Sequence, residues 1–169
     1  MRSRRSGAWT AALIAAVALA GPTLAACSAD DGPDLRSGTP ELHVSRAQAS
    51  GPVAGASQLV LTITNRGDGA DVLVGADTDA ALAVEIHRTD VDADGRASMR
   101  MLDEIALPAG EAVAFRPGDL HLMVVVPDER VRVGGTFEVT LRFARSAPVD
   151  VTVDVVELLD LVERALHGG

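Results

Sequence analysis

The sequence contains one cysteine, Cys27, among its 169 residues. A chain with one cysteine cannot form an internal disulfide, so its fold must be stabilised by packing alone. The lack of further thiols argues against a cysteine nucleophile. It also argues against a blue-copper centre, because that site is built on a thiolate with two histidines. No pattern of Ser, His and carboxylate residues stands out as catalytic, and we predict that the protein is not an enzyme.

The first 26 residues contain no acidic residue and no apolar run long enough to span a membrane. Arg2, Arg4 and Arg5 precede an apolar run from Ala8 to Ala20, which is shorter than the roughly 20 residues of a membrane-spanning helix. This pattern predicts a secretion signal over residues 1–26. The tetrapeptide "LAAC" that ends at Cys27 resembles the lipobox of bacterial lipoproteins. We therefore expect Cys27 to be lipidated and to anchor the exported protein at the outer face of the cytoplasmic membrane.

Basic residues are scarce after the predicted signal, where 12 arginines stand against 24 acidic residues and no lysine is present. The resulting net charge of −12 argues against nucleic acid as a partner, because nucleic-acid binding relies on Lys and Arg contacts to phosphate. So acidic a surface would also be repelled by anionic lipids. We expect the N-terminal lipid alone to hold the protein at the membrane.

The remaining chain separates into a tether, a β domain and a helix. Residues 27–40 comprise Cys27 and a Gly-, Pro- and Asp-rich stretch that predicts a flexible tether. Residues 41–157 contain eight β-branched, often alternating segments with turn residues between them, which predicts an all-β, Greek-key sandwich or barrel of seven to eight strands. Residues 158–169 predict a short C-terminal helix with Leu158, Leu161, Val162 and Leu166 on one face.

Histidine and methionine residues cluster in one part of the β domain. His121 and Met123 are two residues apart in the strand "LHLMVVV", so they point to the same face. His87 ends the strand "LAVEIHR", and Met99 begins the segment after the turn "DADG", where it could face His87 across a hairpin. Imidazole and thioether groups together suit Cu(I), whereas thioethers are poor ligands for Mg²⁺, Ca²⁺ or Zn²⁺. The alternative is that Met123 fills a core gap and His121 lies in a turn.

Eleven residues separate His87 from Met99, and twenty-one residues separate Met99 from the closing pair His121-x-Met123. The chain thereby resembles the PCu(A)C family of periplasmic copper chaperones over roughly residues 41–157, including the stretch "LPAGEAVAFRPGDLHLM". The resemblance implies a cupredoxin-like β-sandwich that binds Cu(I), in some members also Cu(II). It implies the ligands His87, Met99, His121 and Met123, and a copper-receiving partner such as the copper A subunit of cytochrome c oxidase or another copper chaperone.

Two departures from the family pattern and three further candidate residues remain. Arg88 occupies the position after the first His, where the family often has Met, and the C-terminal helix is an addition. Met101 lies on the same strand face as Met99 and is either an auxiliary ligand or, as we prefer, a core residue. His43 and His167 are expected to be solvated, with a second Cu(II) site at His167 as the lesser alternative.

The segment "DVDADG", residues 90–95, copies the start of an EF-hand loop. The position of the bidentate Glu is occupied by Met101, however, so we predict a turn between two strands instead of a calcium site. For the whole protein, the alternative to a copper chaperone is a cell-surface scaffold or adhesion β-sandwich that binds no metal. Only the spacing of the four His and Met residues argues against that alternative.

Overall fold

The computed structural model describes Leu35 and residues 37–167. It contains ten strands and one helix, in the order β1 (Leu42–Ser50), β2 (Ala56–Asn65), β3 (Asp71–Asp77), β4 (Ala81–Val91), β5 (Ala97–Leu102), β6 (Ile105–Leu107), β7 (Ala112–Ala114), β8 (Leu120–Pro127), β9 (Thr136–Phe143), β10 (Val149–Val156) and α1 (Leu158–His167).

Seven of the strands form a closed barrel. They follow one another in the order β4, β8, β2, β1, β10, β9 and β3, and a pairing between β3 and β4 closes the ring. Only β1 and β10 run parallel, whereas all other neighbours are antiparallel. The three remaining strands extend the barrel, since β5 pairs with β4, β6 with β3 and β7 with β2.

Alternating apolar residues fill the interior of the barrel. Leu59, Leu61 and Ile63 of β2 are buried at every second position, as expected for a strand with one face on a core. All three phenylalanines of the chain are buried in the same cluster, at positions 115, 137 and 143. Burial of such side chains is the main source of stability in a fold of this kind.

The predicted fold class is confirmed, with two more strands than expected. Every predicted strand segment is a strand, and the C-terminal helix is present. The sequence analysis inferred β5 (Ala97–Leu102) only as the second strand of the hairpin after the turn "DADG", and it missed β6. Strand β5 is exposed along nearly its whole length, so it lacks the apolar alternation of a half-buried strand, and β6 has only three residues. Strand β4 also runs to Val91, three residues past the end of the predicted segment "LAVEIHR".

Helix α1 packs against the outside of the barrel beside β1. Its residue Leu161 is almost fully buried, whereas Leu159 is three-quarters exposed and Leu158 is partly exposed. The helix begins with a bond from the Leu161 N–H to the Glu157 carbonyl. No helix in the described part of the chain has the length and hydropathy of a membrane span.

The end of the predicted tether belongs to the domain. The backbone N–H of Thr39 donates to Asp68 Oδ1 at 2.7 Å, and the Gly38 carbonyl accepts a bond from Arg145 at 2.6 Å. A side chain at Gly38 would meet the Asp68 carbonyl oxygen at 2.4 Å, which explains the glycine there. The predicted signal and Cys27, the predicted lipidation site, lie outside the described residues.

Candidate functional site

The outer face of three neighbouring strands brings together the His and Met residues predicted from the sequence. In the register, His87 of β4 pairs with His121 of β8 on one side and with Met101 of β5 on the other. Met123 pairs with Glu85, and Met99 pairs with Thr89. Directly paired residues and residues two apart share a face. All four predicted ligands therefore lie on one face, opposite the buried residues Ile86 and Leu122.

His121 is fully buried within β8 and does not lie in a turn. Its Nδ1 is 2.9 Å from the backbone carbonyl oxygen of Asp119. A carbonyl can only accept a hydrogen bond, so in the neutral ring the proton is on Nδ1 and Nε2 has the lone pair. Nε2 is buried and has no hydrogen-bond partner. The ring thus presents a nitrogen without a hydrogen-bond partner inside the protein, and such an imidazole nitrogen is able to bind a metal.

His87 is held in a corresponding way by a carboxylate. Its Nε2 lies 2.8 Å from Glu85 Oε2, and the side chain is 17% exposed. Because the carboxylate accepts this bond, the proton of the neutral ring is on Nε2, and Nδ1 has the lone pair. Nδ1 is also buried without a partner. The centroids of the two imidazole rings are 6.0 Å apart, and the rings are tilted by 51°.

Unpartnered polar atoms of this kind are few. In the described part of the chain, four buried side-chain N or O atoms have no hydrogen-bond partner, and two of them are these imidazole nitrogens. The others are Ser57 Oγ and Arg88 Nε. A buried polar atom without a partner costs about 1–3 kcal/mol. Two of the four atoms thus lie on neighbouring imidazole rings, where both are available to a ligand.

Three methionines lie on the same sheet face as the two rings. Met123 is partly buried and lies two residues from His121, on the face opposite the core, so it does not fill a core gap. Met99 and Met101 are 56% and 62% exposed. The preferred role of Met101 as a core residue was therefore wrong. β5 is an outer strand paired only with β4, so both of its faces remain open to solvent.

The hairpin also corrects the predicted partner of His87. Met101, not Met99, is paired with His87, and Met99 is one pair further along the hairpin. Side chains of directly opposed residues have Cβ atoms about 4.5–5.5 Å apart, and diagonal neighbours are about 7–8 Å apart. Both methionines can therefore approach the imidazole of His87, and Met101 starts from the nearer position.

Arg88 does not interfere with this face. It alternates with His87 along β4 and so points to the other side of the sheet. There its Nε lies 4.0 Å from Asp119 Oδ1. A Met at this position would also point away from the two imidazoles. The departure of Arg88 from the family pattern therefore leaves the His and Met face unchanged.

The segment "DVDADG" forms the turn between β4 and β5, as predicted. The Gly95 N–H donates to the Asp92 carbonyl, and Gly95 adopts a φ of 78°, which favours glycine. Its carboxylates are engaged with arginines, since Asp90 pairs with Arg100 and both Asp92 and Asp94 pair with Arg96. Hydrogen bonds from Arg96 lower the pKa of Asp92. Within the described residues, no three His, Cys, Asp or Glu side chains form a metal-binding group.

The two remaining histidines belong to other elements than β4, β5 and β8. His43 is exposed on β1, as expected. His167 is the last residue of α1, and its side chain is outside the described part. The sequence analysis missed the residues that orient the two rings, namely Glu85 and the carbonyl of Asp119. The spacing of Glu85 two residues before His87 in a strand was a usable signal, because it sets both side chains on one face.

Comparison with known proteins identifies relatives of the whole β domain. Residues 41–155 match the family described as "Putative lipoprotein LpqE-like". The chain is 29% identical over 115 residues to "Putative lipoprotein Lxx21020" of Leifsonia xyli subsp. xyli, covering 68% of this chain and 69% of that protein.

Solved structures share the fold. The "Copper-bound PCuAC domain from PmoF2" is 24% identical and aligns with a TM-score of 0.57 over 69% of this chain and 92% of that domain. The solution structure of "CuI-DR1885" from Deinococcus radiodurans is 24% identical, with a TM-score of 0.54 over 70% of this chain and 78% of that one. These alignments confirm the PCuAC fold that the sequence resemblance predicted. With the match over residues 41–155, the chain belongs to the LpqE-like lipoprotein family.

Proposed function

We propose that the domain binds one Cu(I) ion between His87 and His121 and passes it to a receiving protein. The observation that carries this proposal is the pair of buried, unpartnered nitrogens, His87 Nδ1 and His121 Nε2. Both rings are already held from outside, by Glu85 and by the Asp119 carbonyl. Such outer partners fix the tautomer and direction of a metal-binding imidazole. The cost of leaving two nitrogens unsatisfied is offset when copper binds to them.

The sulfur ligands select the oxidation state of the ion. Met123 provides one thioether beside His121, and Met99 provides the second, with Met101 as the auxiliary donor on the same strand. Two imidazoles and two thioethers form a neutral, soft ligand set, which favours Cu(I) over harder divalent ions. The structures that share this fold include domains described as copper-bound and as Cu(I)-bound, which supports the same cargo here.

The gradient of exposure across the site suggests how copper is released. His121 is fully buried, His87 is largely buried, and the methionines of β5 are more than half exposed. Met101 and Glu85 also line an open groove of ≈ 320 Å³ between β3 and β4. A receiving protein approaching from β5 would replace the exposed thioether first and the buried imidazole last. Ligand exchange in this order keeps copper bound throughout the transfer.

The setting of this transfer follows from the family and the N-terminal sequence. We infer that Cys27 is lipidated after removal of residues 1–26, and that residues 27 to about 37 tether the domain to the outer face of the cytoplasmic membrane. The name of the Leifsonia relative describes a lipoprotein, which supports this placement. The resemblance to PCu(A)C chaperones makes assembly of the copper A centre of cytochrome c oxidase the proposed destination.

The decisive experiment is an anaerobic competition titration of the chain from residue 28 with Cu(I) and a chromophoric chelator. We expect one Cu(I) per chain and loss of competition in the double variant Met99→Ala/Met123→Ala. The His43→Ala variant is the matched control, because His43 is an exposed histidine on β1 away from the His and Met face. If the unmodified chain does not compete with the chelator, copper binding is refuted, and the metal-free scaffold becomes the better account.

A further inference from the structure

Strand β5 has an outer edge that no other strand in the described part of the chain covers. It pairs with β4 on one side, and no second strand pairs with it. It is the longest of the three strands outside the barrel, with six residues against three each in β6 and β7. Proteins commonly protect such edges with proline, bulges or charged side chains. β5 contains no proline, its register with β4 is continuous, and Arg100 is its only charged residue.

The turn at the tip of the hairpin determines which backbone groups of β5 point outward. In an antiparallel pair of strands, opposed residues alternate between hydrogen-bonded and non-hydrogen-bonded pairs. The Asp92 N–H donates to the Arg96 carbonyl, so these two residues form a hydrogen-bonded pair. The next pair, Val91 with Ala97, is therefore not hydrogen-bonded. By this alternation, the N–H and C=O groups of three β5 residues point away from β4, and these residues are Ala97, Met99 and Met101.

The other side of β4 follows the same alternation. Thr89 is opposite Met99 in the register, and its N–H donates to the carbonyl of Asp119, next to the start of β8. The backbone groups of Thr89 therefore point away from β5, as those of its partner Met99 point away from β4. The outer edge of β5 is thus a row of backbone donors and acceptors that can pair with a further strand.

We propose that this edge pairs with the same edge of a second copy of the chain, antiparallel and with the two-fold axis at Met99. In this register Met99 is opposite Met99 of the second copy, and Ala97 is opposite Met101. All three outward-facing residues of each copy therefore enter hydrogen-bonded pairs. Ser98 is opposite Arg100, so a hydroxyl meets a guanidinium. The edge is self-complementary, as a two-fold interface requires.

Charge disfavours the neighbouring registers. A two-fold axis at Arg100 opposes the two copies of Arg100 to each other, and an axis at Ser98 opposes Arg96 to Arg100. Like charges that are directly opposite destabilise a sheet. Either shift also leaves one outward-facing residue of each copy without a partner in β5. The register centred on Met99 avoids both costs, and this selects a second copy of the chain as the occupant of the edge.

The pairing joins the His and Met faces of the two copies. Directly opposed residues share a face of the sheet, so the two Met99 side chains meet on the face that carries His87 and His121. In a consequence that rests on the proposed function, the exposed thioethers of two copper sites become neighbours, and Cu(I) can pass from one copy to the other. The pairing itself does not depend on copper.

The first test measures self-association of the copper-free chain from residue 28, which contains every described strand and the helix, by sedimentation equilibrium. A ladder of this length buries less than the roughly 1,200 Å² of a typical stable interface, so we expect a weak dimer that is populated at about 1 mM. A chain that stays monomeric at about 1 mM overturns the proposal. Because no copper is present, this failure is distinct from a failure to bind Cu(I).

A thiol on the edge tests the register. The chain from residue 28 has no cysteine, so Met99→Cys introduces one thiol that faces its own copy across the axis. Hydrogen-bonded pairs have Cα atoms about 5.5 Å apart, a separation that a disulfide spans. With oxidised glutathione, Met99→Cys should form a disulfide-linked dimer at least about tenfold faster than the matched control Met101→Cys.

The control separates pairing from random collision. In Met101→Cys the two thiols are four residues apart, or about 13 Å along the ladder. Met101 is nevertheless the more exposed residue, at 62% against 56% for Met99, so collisions favour the control. Equal rates, or a faster reaction of Met101→Cys, overturn the proposed register. Circular dichroism verifies that every variant is folded.

Opposite charges at position 98 provide a second test of the interface. Ser98→Glu should strengthen the dimer about tenfold and Ser98→Arg should weaken it about tenfold, because the residue faces Arg100 twice in each dimer. Within one chain Ser98 is opposite Asp90, and the chain is net acidic, so hairpin stability and net charge both predict the reverse order. The reverse order overturns the proposal.

The matched controls for position 98 are Thr136→Glu and Thr136→Arg. Thr136 is an exposed strand residue opposite Asp154 of β10, so these variants change the same charge beside a carboxylate on another strand. They should alter dimer affinity less than about twofold, because the added charge is exposed and screened. Changes at Thr136 that equal those at Ser98 also overturn the proposal, since they show an effect of overall charge.

Discussion

Two buried polar regions of this barrel differ in whether their polar side-chain atoms have hydrogen-bond partners. Asp71 at the start of β3 is fully buried, and both of its oxygens are satisfied. Oδ1 accepts from the N–H groups of Val72 and Arg145, and Oδ2 accepts from the N–H and hydroxyl of Ser146. His87 and His121, by contrast, each have one nitrogen satisfied and one open.

This difference separates a structural polar group from one that awaits a ligand. Most buried polar groups in proteins are hydrogen-bonded, because an unsatisfied one is costly. Asn65 follows the same rule as Asp71, since its amide donates to the carbonyls of Gly69 and Leu107 and accepts from two backbone N–H groups. The open nitrogens of the two imidazoles are therefore two of the four exceptions among the described residues, the others being Ser57 Oγ and Arg88 Nε.

The largest expected effect on Cu(I) affinity comes from removing an imidazole nitrogen that has no hydrogen-bond partner. His121→Ala should weaken Cu(I) binding more than 100-fold, because loss of a ligand should exceed the roughly 10- to 100-fold loss caused by removing an outer partner. The same anaerobic chelator competition measures this change. His87→Ala should behave in the same way, and circular dichroism verifies that both variants are folded. An affinity within about threefold of the unmodified chain would contradict the assignment of these ligands.

Substitution of Asp71, whose carboxylate is fully hydrogen-bonded, should lower the stability of the fold and leave copper binding unchanged. Asp71→Ala leaves the donors of Val72, Arg145 and Ser146 without their acceptor, and we expect a loss of about 3 kcal/mol in the free energy of unfolding. Urea denaturation measures this loss. Copper affinity of the folded variant should remain unchanged. A stable Asp71→Ala variant with impaired copper binding would reverse the contrast between the two regions.

The outer partner of His87 should have an intermediate effect. Glu85→Ala removes the acceptor for His87 Nε2, so the ring can turn and change tautomer, and Cu(I) affinity should fall about tenfold. Glu85→Gln should restore much of the affinity, because the amide oxygen can still accept the bond. Equal losses in both variants would indicate that the charge of Glu85 matters and that its hydrogen bond does not.

The two exposed methionines provide a finer test of the register. The family spacing assigns the ligand to Met99, whereas the pairing sets Met101 opposite His87. Met99→Ala should weaken Cu(I) binding about tenfold, and Met101→Ala should do so by about threefold, if Met101 is the auxiliary donor. X-ray absorption of the copper-loaded variants counts the remaining sulfur ligands. A larger loss in Met101→Ala would exchange the two assignments.

The smallest expected effect is the pH dependence of the Asp71 anchor. Burial raises the pKa of Asp71, but the bonds from Ser146, Val72 and Arg145 outweigh this and lower it below its ordinary value of 3.8. A lowered folded-state pKa contributes stability above pH 3.8, and this contribution is lost as pH falls through the lower folded-state value. The stability difference between the unmodified chain and Asp71→Asn should therefore shrink below about pH 4. Urea midpoints at pH 3 and pH 6 measure it.

The local patterns of the sequence were sufficient for most of the secondary structure. Segments such as "LVLTITN" and "TFEVTLRF" alternate because one face is buried, and they are strands. Strand β5 was predicted only as the partner of β4 in a hairpin, because both of its faces are exposed and burial imposes no pattern on "ASMRML". The H-x-M pair was visible because alternation within one strand needs no knowledge of its neighbours.

The sequence by itself determined which residue types are available: no disulfide, two imidazoles and three thioethers in one part of the β domain, and a net acidic charge. Only the tertiary structure decided how they meet. Pairing between β4, β5 and β8 set His87 beside His121 and opposite Met101, and the contacts of Glu85 and Asp119 decided which nitrogens stay open. Register depends on contacts between distant segments, and no local pattern encodes it.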